Sequence, residues 1–155
     1  MLARHNHKSK IKDSQLVSLK AVIPGMIVSF NYEGKKVSDK KPLIFFLHFD
    51  RKYGLIEGLN LNYLNNFSFK QLFDGLKVRT RVSTPSSDTS NLLSEDYTYI
   101  AIPPMSRMQT KSKSESKVET QRMYEKFIGP KFGDFYRSYQ PRQMRNIKIV
   151  NLKDY

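Results

Sequence analysis

The chain has 155 residues, with 27 Lys and Arg against 14 Asp and Glu, a formal charge of +13, 39% hydrophobic residues and no cysteine. That length suits one domain-sized core, and the apolar content is above that of a disordered chain. The lack of cysteine excludes a disulfide scaffold, a zinc–cysteine site, an iron–sulfur cluster and a cysteine nucleophile.

Residues 1–20 read as a basic N-terminal arm. Arg4, Lys8, Lys10 and Lys12 stand there without an acid before Asp13, and His5 and His7 lie among them. No apolar run follows these charges, so the segment is unlike a secretory signal. Residues 21–104 read as a β-rich core domain. Pro24-Gly25 punctuates the chain ahead of Met26 to Tyr32, whose β-branched and aromatic residues predict a strand. Glu33-Gly34-Lys35-Lys36 supplies turn chemistry, and Lys41-Pro42 opens Leu43 to Phe49, a run apolar on both faces that predicts the central strand of a sheet. Its five unbroken apolar residues, Leu43 to Leu47, are far short of the roughly 18–20 that span a bilayer, so no membrane partner is expected. After the turn Asp50 to Gly54, Leu55 to Leu61 predicts a third strand, in which Gly58 marks a bulge or a close backbone approach.

Ser68-Phe69-Lys70-Gln71 has the form of a capping box. Phe69, Leu72, Phe73 and Leu76 follow at helical spacing, predicting a short amphipathic helix that Gly75 ends or loosens. Residues 83–94 read as a polar loop with one helical turn near Leu92-Leu93, and residues 105–116 as a Ser/Lys linker. Residues 117–155 read as a basic helical segment with a closing strand. Ser116 to Glu119 is a second capping box, predicting a helix near 117–128 that stops at Gly129-Pro130. Phe132, Phe135, Tyr136 and Tyr139 are spaced as one face of a further short helix, and Asn146 to Leu152 predicts the closing strand. The fold class expected is α+β: a small curved antiparallel sheet or SH3-like barrel with peripheral short helices and basic N- and C-terminal extensions.

The charge excess sits at the two ends. Residues 13–103 are close to neutral, whereas residues 104–155 carry 12 basic residues against 5 acidic ones. Basic ends on a near-neutral body favour a polyanion partner, because each cation that neutralises a phosphate releases a counterion. The nucleic-acid contacts expected are Arg4, Lys8, Lys10, Lys12, Lys111, Lys113, Arg137, Arg142 and Arg145. Aromatics interleave with the C-terminal cations, but as the core face of a helix they would leave only the cations to meet phosphates. Arms ordered by neighbouring proteins in a large assembly are the alternative.

Catalytic signals are sparse. There is no phosphate loop, dinucleotide fingerprint, nucleophile elbow or zinc-protease helix motif, and the acids are too scattered to predict a two-metal nuclease. His48 and Asp50 would share a strand face, so a general-base pair is geometrically conceivable, but a satisfied core or edge histidine is the favoured reading of His48. His5-x-His7 has no third ligand type beside it, so neither a metal nor a cofactor is assigned. Asn60, Asn62 and Tyr63 read as turn residues of undefined role.

Three stretches carry a family likeness: Pro24-Gly25-x-x-x-x-Phe30-x-Tyr32, Lys41-Pro42-Leu43-Ile44, and Gly54-Leu55-Ile56-Glu57-Gly58-Leu59-Asn60-Leu61-Asn62-Tyr63-Leu64. Together with Tyr136 to Arg145 and Ile147-Lys148-Ile149, they resemble a family of small proteins of tailed bacteriophages, mostly contractile-tailed ones. The likeness covers about residues 22–75 and 133–155. It departs from the family pattern at Ile27-Val28, where an aromatic is frequent, and at Lys40-Lys41, where an acid is frequent. The resemblance implies a phage context, and together with the basic ends and the sparse catalytic signals the expectation is a non-enzymatic phage accessory or virion-associated protein, in the host cytoplasm during infection and in the virion. Its partner would be DNA, with DNA ends as one form of it, or the structural proteins of a head, neck or baseplate. Pro24-Gly25-Met26-Ile27 and Lys41-Pro42-Leu43-Ile44 are also similar to the MazF/PemK-type ribonuclease toxins, with Lys41 where that family has an arginine. A ribonuclease is therefore a further alternative.

Overall fold

The structure is a computed structural model that describes residues 3–34, 39–79, 82–83, 99–100 and 113–153. Residues 84–94 of the loop expected at 83–94 and residues 105–112 of the linker expected at 105–116 lie outside the described residues, whereas Ser83 belongs to a strand and residues 113–116 to a helix. Among the described residues the strands and α-helices follow in chain order: β1 (Ile11–Leu16), β2 (Ile27–Tyr32), β3 (Leu43–Asp50), β4 (Leu55–Asn60), α1 (Asn66–Arg79), β5 (Val82–Ser83), β6 (Tyr99–Ile100), α2 (Lys113–Ile128), β7 (Tyr136–Tyr139) and β8 (Met144–Leu152). Six strands form one antiparallel sheet in the order β1-β8-β2-β3-β4-β7, and β5 pairs with β6 apart from it. The protein is α+β with a small curved antiparallel sheet, as its sequence predicts.

The meander β2–β3–β4 forms where runs of apolar, β-branched and aromatic residues meet polar turns. Asp50 Oδ1 accepts from the amides of Lys52 and Tyr53, which closes the β3–β4 turn and gives this carboxylate a structural task beside His48. Gly58 serves the close approach expected of it, while the bulge falls on β3 across from it, at Leu47. The β3–β4 register shifts between Phe46 and His48, opposite Gly58 and Glu57, and a Cβ on Gly58 would press into the Phe45 carbonyl oxygen. Gly25 has φ +95° and packs against the Ile100 carbonyl, so no side chain fits there.

Alternation splits the apolar residues over two faces. Ile27, Phe45, Leu47, Leu59 and Val150 pack beneath Phe69, Leu72, Phe73 and Leu76 of α1 and Tyr124 and Ile128 of α2. On the other face Val28, Phe30, Tyr32, Ile44, Phe46, Ile56 and Ile149 form a second cluster with Met26 and Ala21. The sheet bends around that cluster: the Phe30 and Tyr32 rings of β2 meet the Tyr139 ring of β7 edge to face at 5.2 and 5.1 Å, although β3 and β4 lie between these strands. Among the described residues no helix is long and apolar enough to cross a membrane.

Several local expectations are corrected. Residues 132–139 are not a helix: Pro130–Phe135 is a 3-10 turn, and Tyr136–Tyr139 is a strand on β4. Gly129, Pro130 and Gly133 weaken the α conformation there, and the free edge of β4 offers backbone bonds instead. The strand sends Tyr136 into the helix-covered core and Tyr139 to the opposite face, so these rings do not line up as one face. Helix α1 begins earlier than its capping box, with Asn65 Oδ1 accepting from the Ser68 amide at 2.8 Å, and it runs on through Gly75. Helix α2 likewise begins at Lys113 rather than near 117. The stretch expected as an N-terminal arm contains β1, paired to β8 from Ile11 to Leu16.

Candidate functional site

The residues before β1 are bound to the body by backbone and side-chain bonds. The His5 amide donates to the Asn62 carbonyl at 2.6 Å, and Asn6 Oδ1 accepts from the Lys8 amide. Lys10 reaches Asn66 Oδ1 at 2.6 Å and lies over the Phe69 ring. His7 is 2% exposed and packs on Phe69 with ring centroids 4.5 Å apart. Its Nε2 is 2.8 Å from the Leu64 carbonyl oxygen. A carbonyl only accepts, so Nε2 carries the proton and Nδ1 of the neutral ring presents a lone pair. Burial lowers the His7 pKa from its ordinary 6.5. The charges of Lys10 and His5 act in the same direction, against the bonds to the Leu64 and Leu61 carbonyls.

Beside this segment lies a buried polar corner centred on Asp39, which is 3% exposed. Asn60 and Asn62 point their Nδ2 groups at Asp39 Oδ2, at 3.1 and 2.9 Å. The Lys41 amide and Arg4 Nε donate to Oδ1, at 3.0 and 3.1 Å. Asn60 also caps the 3-10 turn Leu61–Tyr63 by accepting from the Asn62 amide, and its Nδ2 lies 3.2 Å from the Tyr139 hydroxyl. Burial alone would raise the Asp39 pKa, but the bonds from Asn62 and Asn60, then the Lys41 amide and Arg4, outweigh it and hold the carboxyl below its ordinary 3.8. Asp39 is therefore ionised. The two asparagines are thus turn residues, and they are also the donors that let a carboxylate sit inside the protein. Tyr63 carries the Arg137 guanidinium over its ring at 5.5 Å.

A cleft of about 150 Å³ opens in front of this corner, lined by Arg4, His5, His7, Lys8, Lys41 and Asn62 among others. Among the described residues that line it there is no carboxylate. Arg4 is half-exposed, tied to Asp39 and to the Lys41 carbonyl, so its guanidinium is positioned rather than free to rotate. Lys8 and Lys41 are exposed. Ser29 of β2 also lines the cleft, and Lys148 stands directly across from it on β8. Opposed residues of an antiparallel pair share a face with their Cβ atoms roughly 5 Å apart. Arg145, opposite Asn31, continues the row. Such a row suits an extended anion better than a small apolar ligand.

Of the cations expected from the sequence, Arg4 and Lys8 come together in this cleft, Lys10 sits behind it on Asn66, and Lys12 is exposed on β1. Arg142 and Arg145 lie at the start of β8, where Arg145 is 3.7 Å from Glu33. Arg137 is apart on β7, donating to the carbonyls of Asp134 and Tyr136. Lys111 lies outside the described residues, and Lys113 is the first residue of α2. The sequence did not single out Lys148 or His7 for this site, and it marked Lys41 only through the two family likenesses. The exposed positions of β8 carry the signal for Lys148, whereas His7 and Lys41 meet only through the fold.

The His5 and His7 rings are tilted with centroids 6.4 Å apart, and among the described residues no three His, Cys, Asp or Glu side chains group to hold a metal. His48 lies 6.1 Å from the Tyr124 ring and stands across from a further buried carboxylate, Glu57, which accepts from the Tyr136 and Ser138 hydroxyls. Burial and the Glu57 charge push the Tyr124 phenol up to about 12 and raise Tyr136 further, so both stay neutral. The chain matches no protein-family model, no curated protein and no solved structure.

Proposed function

We propose that this is a non-enzymatic bacteriophage accessory or virion-associated protein that binds DNA through its phosphates. The observation that carries the reading is the cleft in which Arg4, Lys8 and Lys41 converge with no carboxylate among its described lining residues. The row through Lys148 toward Arg145 extends it along the surface. Contacts of this kind position a duplex without reading its sequence. The phage setting rests on the family resemblance of the strands and turns.

The test is fluorescence anisotropy of a labelled linear duplex across a salt series, with linear and covalently closed circular DNA as competitors. Binding is expected to weaken steeply with salt, and Lys8→Gln and Lys41→Gln each to reduce the log–log slope by about 0.9. A flat salt response overturns the proposal. Better displacement by linear competitor assigns DNA ends, and equal displacement assigns the duplex at large. A second reading, a structural component of head, neck or baseplate, draws on Phe67 of α1 and Leu16 of the edge strand β1, which are 71% and 63% exposed. Absence of DNA binding at low salt, with protection of these residues in assembled particles, would favour it. Metal-independent cleavage of single-stranded RNA that is lost in Lys41→Ala would replace both with the ribonuclease.

A further inference from the structure

The cleft has a property that charge alone does not explain. His7 lines it, is 98% buried, and spends Nε2 on the Leu64 carbonyl. Among the described residues no protein group partners its Nδ1. A buried lone pair calls for a donor, yet the cations in the cleft call for an anion. One ligand class answers both demands: a tetrahedral anion that still bears a proton. We infer that the cleft binds a protonated phosphate group, inorganic phosphate or a terminal phosphate monoester, whose P–OH donates to His7 Nδ1 while Arg4, Lys8 and Lys41 face its charged oxygens. This rests on the reading of the cleft as a phosphate site and names the form of phosphate it takes.

Size agrees with this assignment. A cavity of about 150 Å³ admits a guest as large as benzene, and a phosphate group is smaller. A phosphodiester of a duplex backbone lacks that P–OH proton, so it would meet only the cations of the cleft and leave Nδ1 unmet; sulfate near neutral pH lacks it too. Inorganic phosphate keeps at least one proton there, and a monoester, whose second pKa is about 6, keeps one in a fraction of molecules. Burial, Lys10 and His5 disfavour placing the proton on the histidine itself, so the ligand is the better source of it. Asp39 does not line the cleft; it holds Arg4 from behind.

Phosphate and sulfate have the same shape and similar charge, and they differ by this proton. Titration calorimetry of the full chain near pH 6.5 with each anion is the test, with a nucleoside 5′-monophosphate and 5′-phosphorylated against 5′-hydroxyl oligonucleotides to separate the sources. Phosphate is expected to bind at least tenfold tighter than sulfate. His7→Gln keeps a side-chain donor for Leu64 and lacks the Nδ1 acceptor, and it is expected to bring the two anions to equal affinity. Should that variant fail to fold, the 15N shift of His7 Nδ1 in the unmodified chain gives the same answer, moving with phosphate and not with sulfate. Equal binding of the two anions, or an unmoved Nδ1 signal, overturns the inference. Duplex DNA binding without phosphate binding overturns it while leaving the DNA reading intact, and loss of both removes the reading as well.

Discussion

The apolar layer under α1 and the polar corner around Asp39 are both closed to water, but different forces hold them. Phe45, Leu72 and Phe73 are fully buried and interchangeable in principle with other side chains of similar volume, because dispersion and the removal of apolar surface from water have little directionality. Asp39, Asn60 and Asn62 are almost as deeply buried. Each of their polar atoms must meet a partner at a definite angle, because a buried donor left unmet costs about 1–3 kcal/mol. The layer tolerates repacking and the corner does not. The corner is also where the cations converge, so the part of the molecule with least freedom of sequence supports the candidate site.

Four measurements would break or sharpen that contrast. Phe45→Ala should cost about 3–5 kcal/mol in denaturant unfolding, and a loss near zero would mean that the layer collapses around the gap. Asp39→Ala should cost about 2–4 kcal/mol, since two buried amide donors lose their acceptor. A cost under about 1 kcal/mol would show that Asn60 and Asn62 re-pair with water. Gly58→Ala tests the layer from the backbone side. Its Cβ meets the Phe45 carbonyl of the neighbouring strand, and overpacking of that kind should cost about 1–3 kcal/mol.

The smallest effect is the pH dependence, and here the corner and its neighbour His7 act through protons. Asp39 has a folded pKa below its ordinary 3.8, so the unfolded chain binds the proton more readily. Its stabilisation is complete above that unfolded value and is lost as pH falls through the lower folded one. His7 is held below 6.5, chiefly by burial. Its neutral form is favoured in the fold, so stability should already decline as pH drops below about 6.5. Urea midpoints measured from pH 8 to pH 3 should show two descending steps, the upper absent in His7→Gln and the lower absent in Asp39→Asn. A single step common to all three proteins would contradict the assignment.

Legibility follows the same division. The strands β2 to β4 were readable because long apolar runs broken by turn residues have few other uses. The face of α1 was readable because Phe69, Leu72, Phe73 and Leu76 repeat at helical spacing and do pack together. Residues 132–139 misled because a spacing of three and four also fits a turn followed by a strand, and the choice was made by the vacant edge of β4 and by Glu57, which receives the Tyr136 and Ser138 hydroxyls. Strand β1 carried no apolar alternation of its own, since four of its six residues are exposed, and only β8 gives it a partner.

The order of strands and helices through the middle of the chain, the two-sided burial of β3 and the basic character of the surface were determined by the sequence alone, because hydrophobic periodicity and charge are local properties of a chain. The corner and the cleft were decided by tertiary structure. Arg4, Asp39 and Asn62 are separated by 35 and 23 positions, and each alone reads as an ordinary arm or turn residue. Their meaning arises from hydrogen bonds that exist only once the N-terminal segment lies against the turn after β4, where burial makes every unmet polar atom costly.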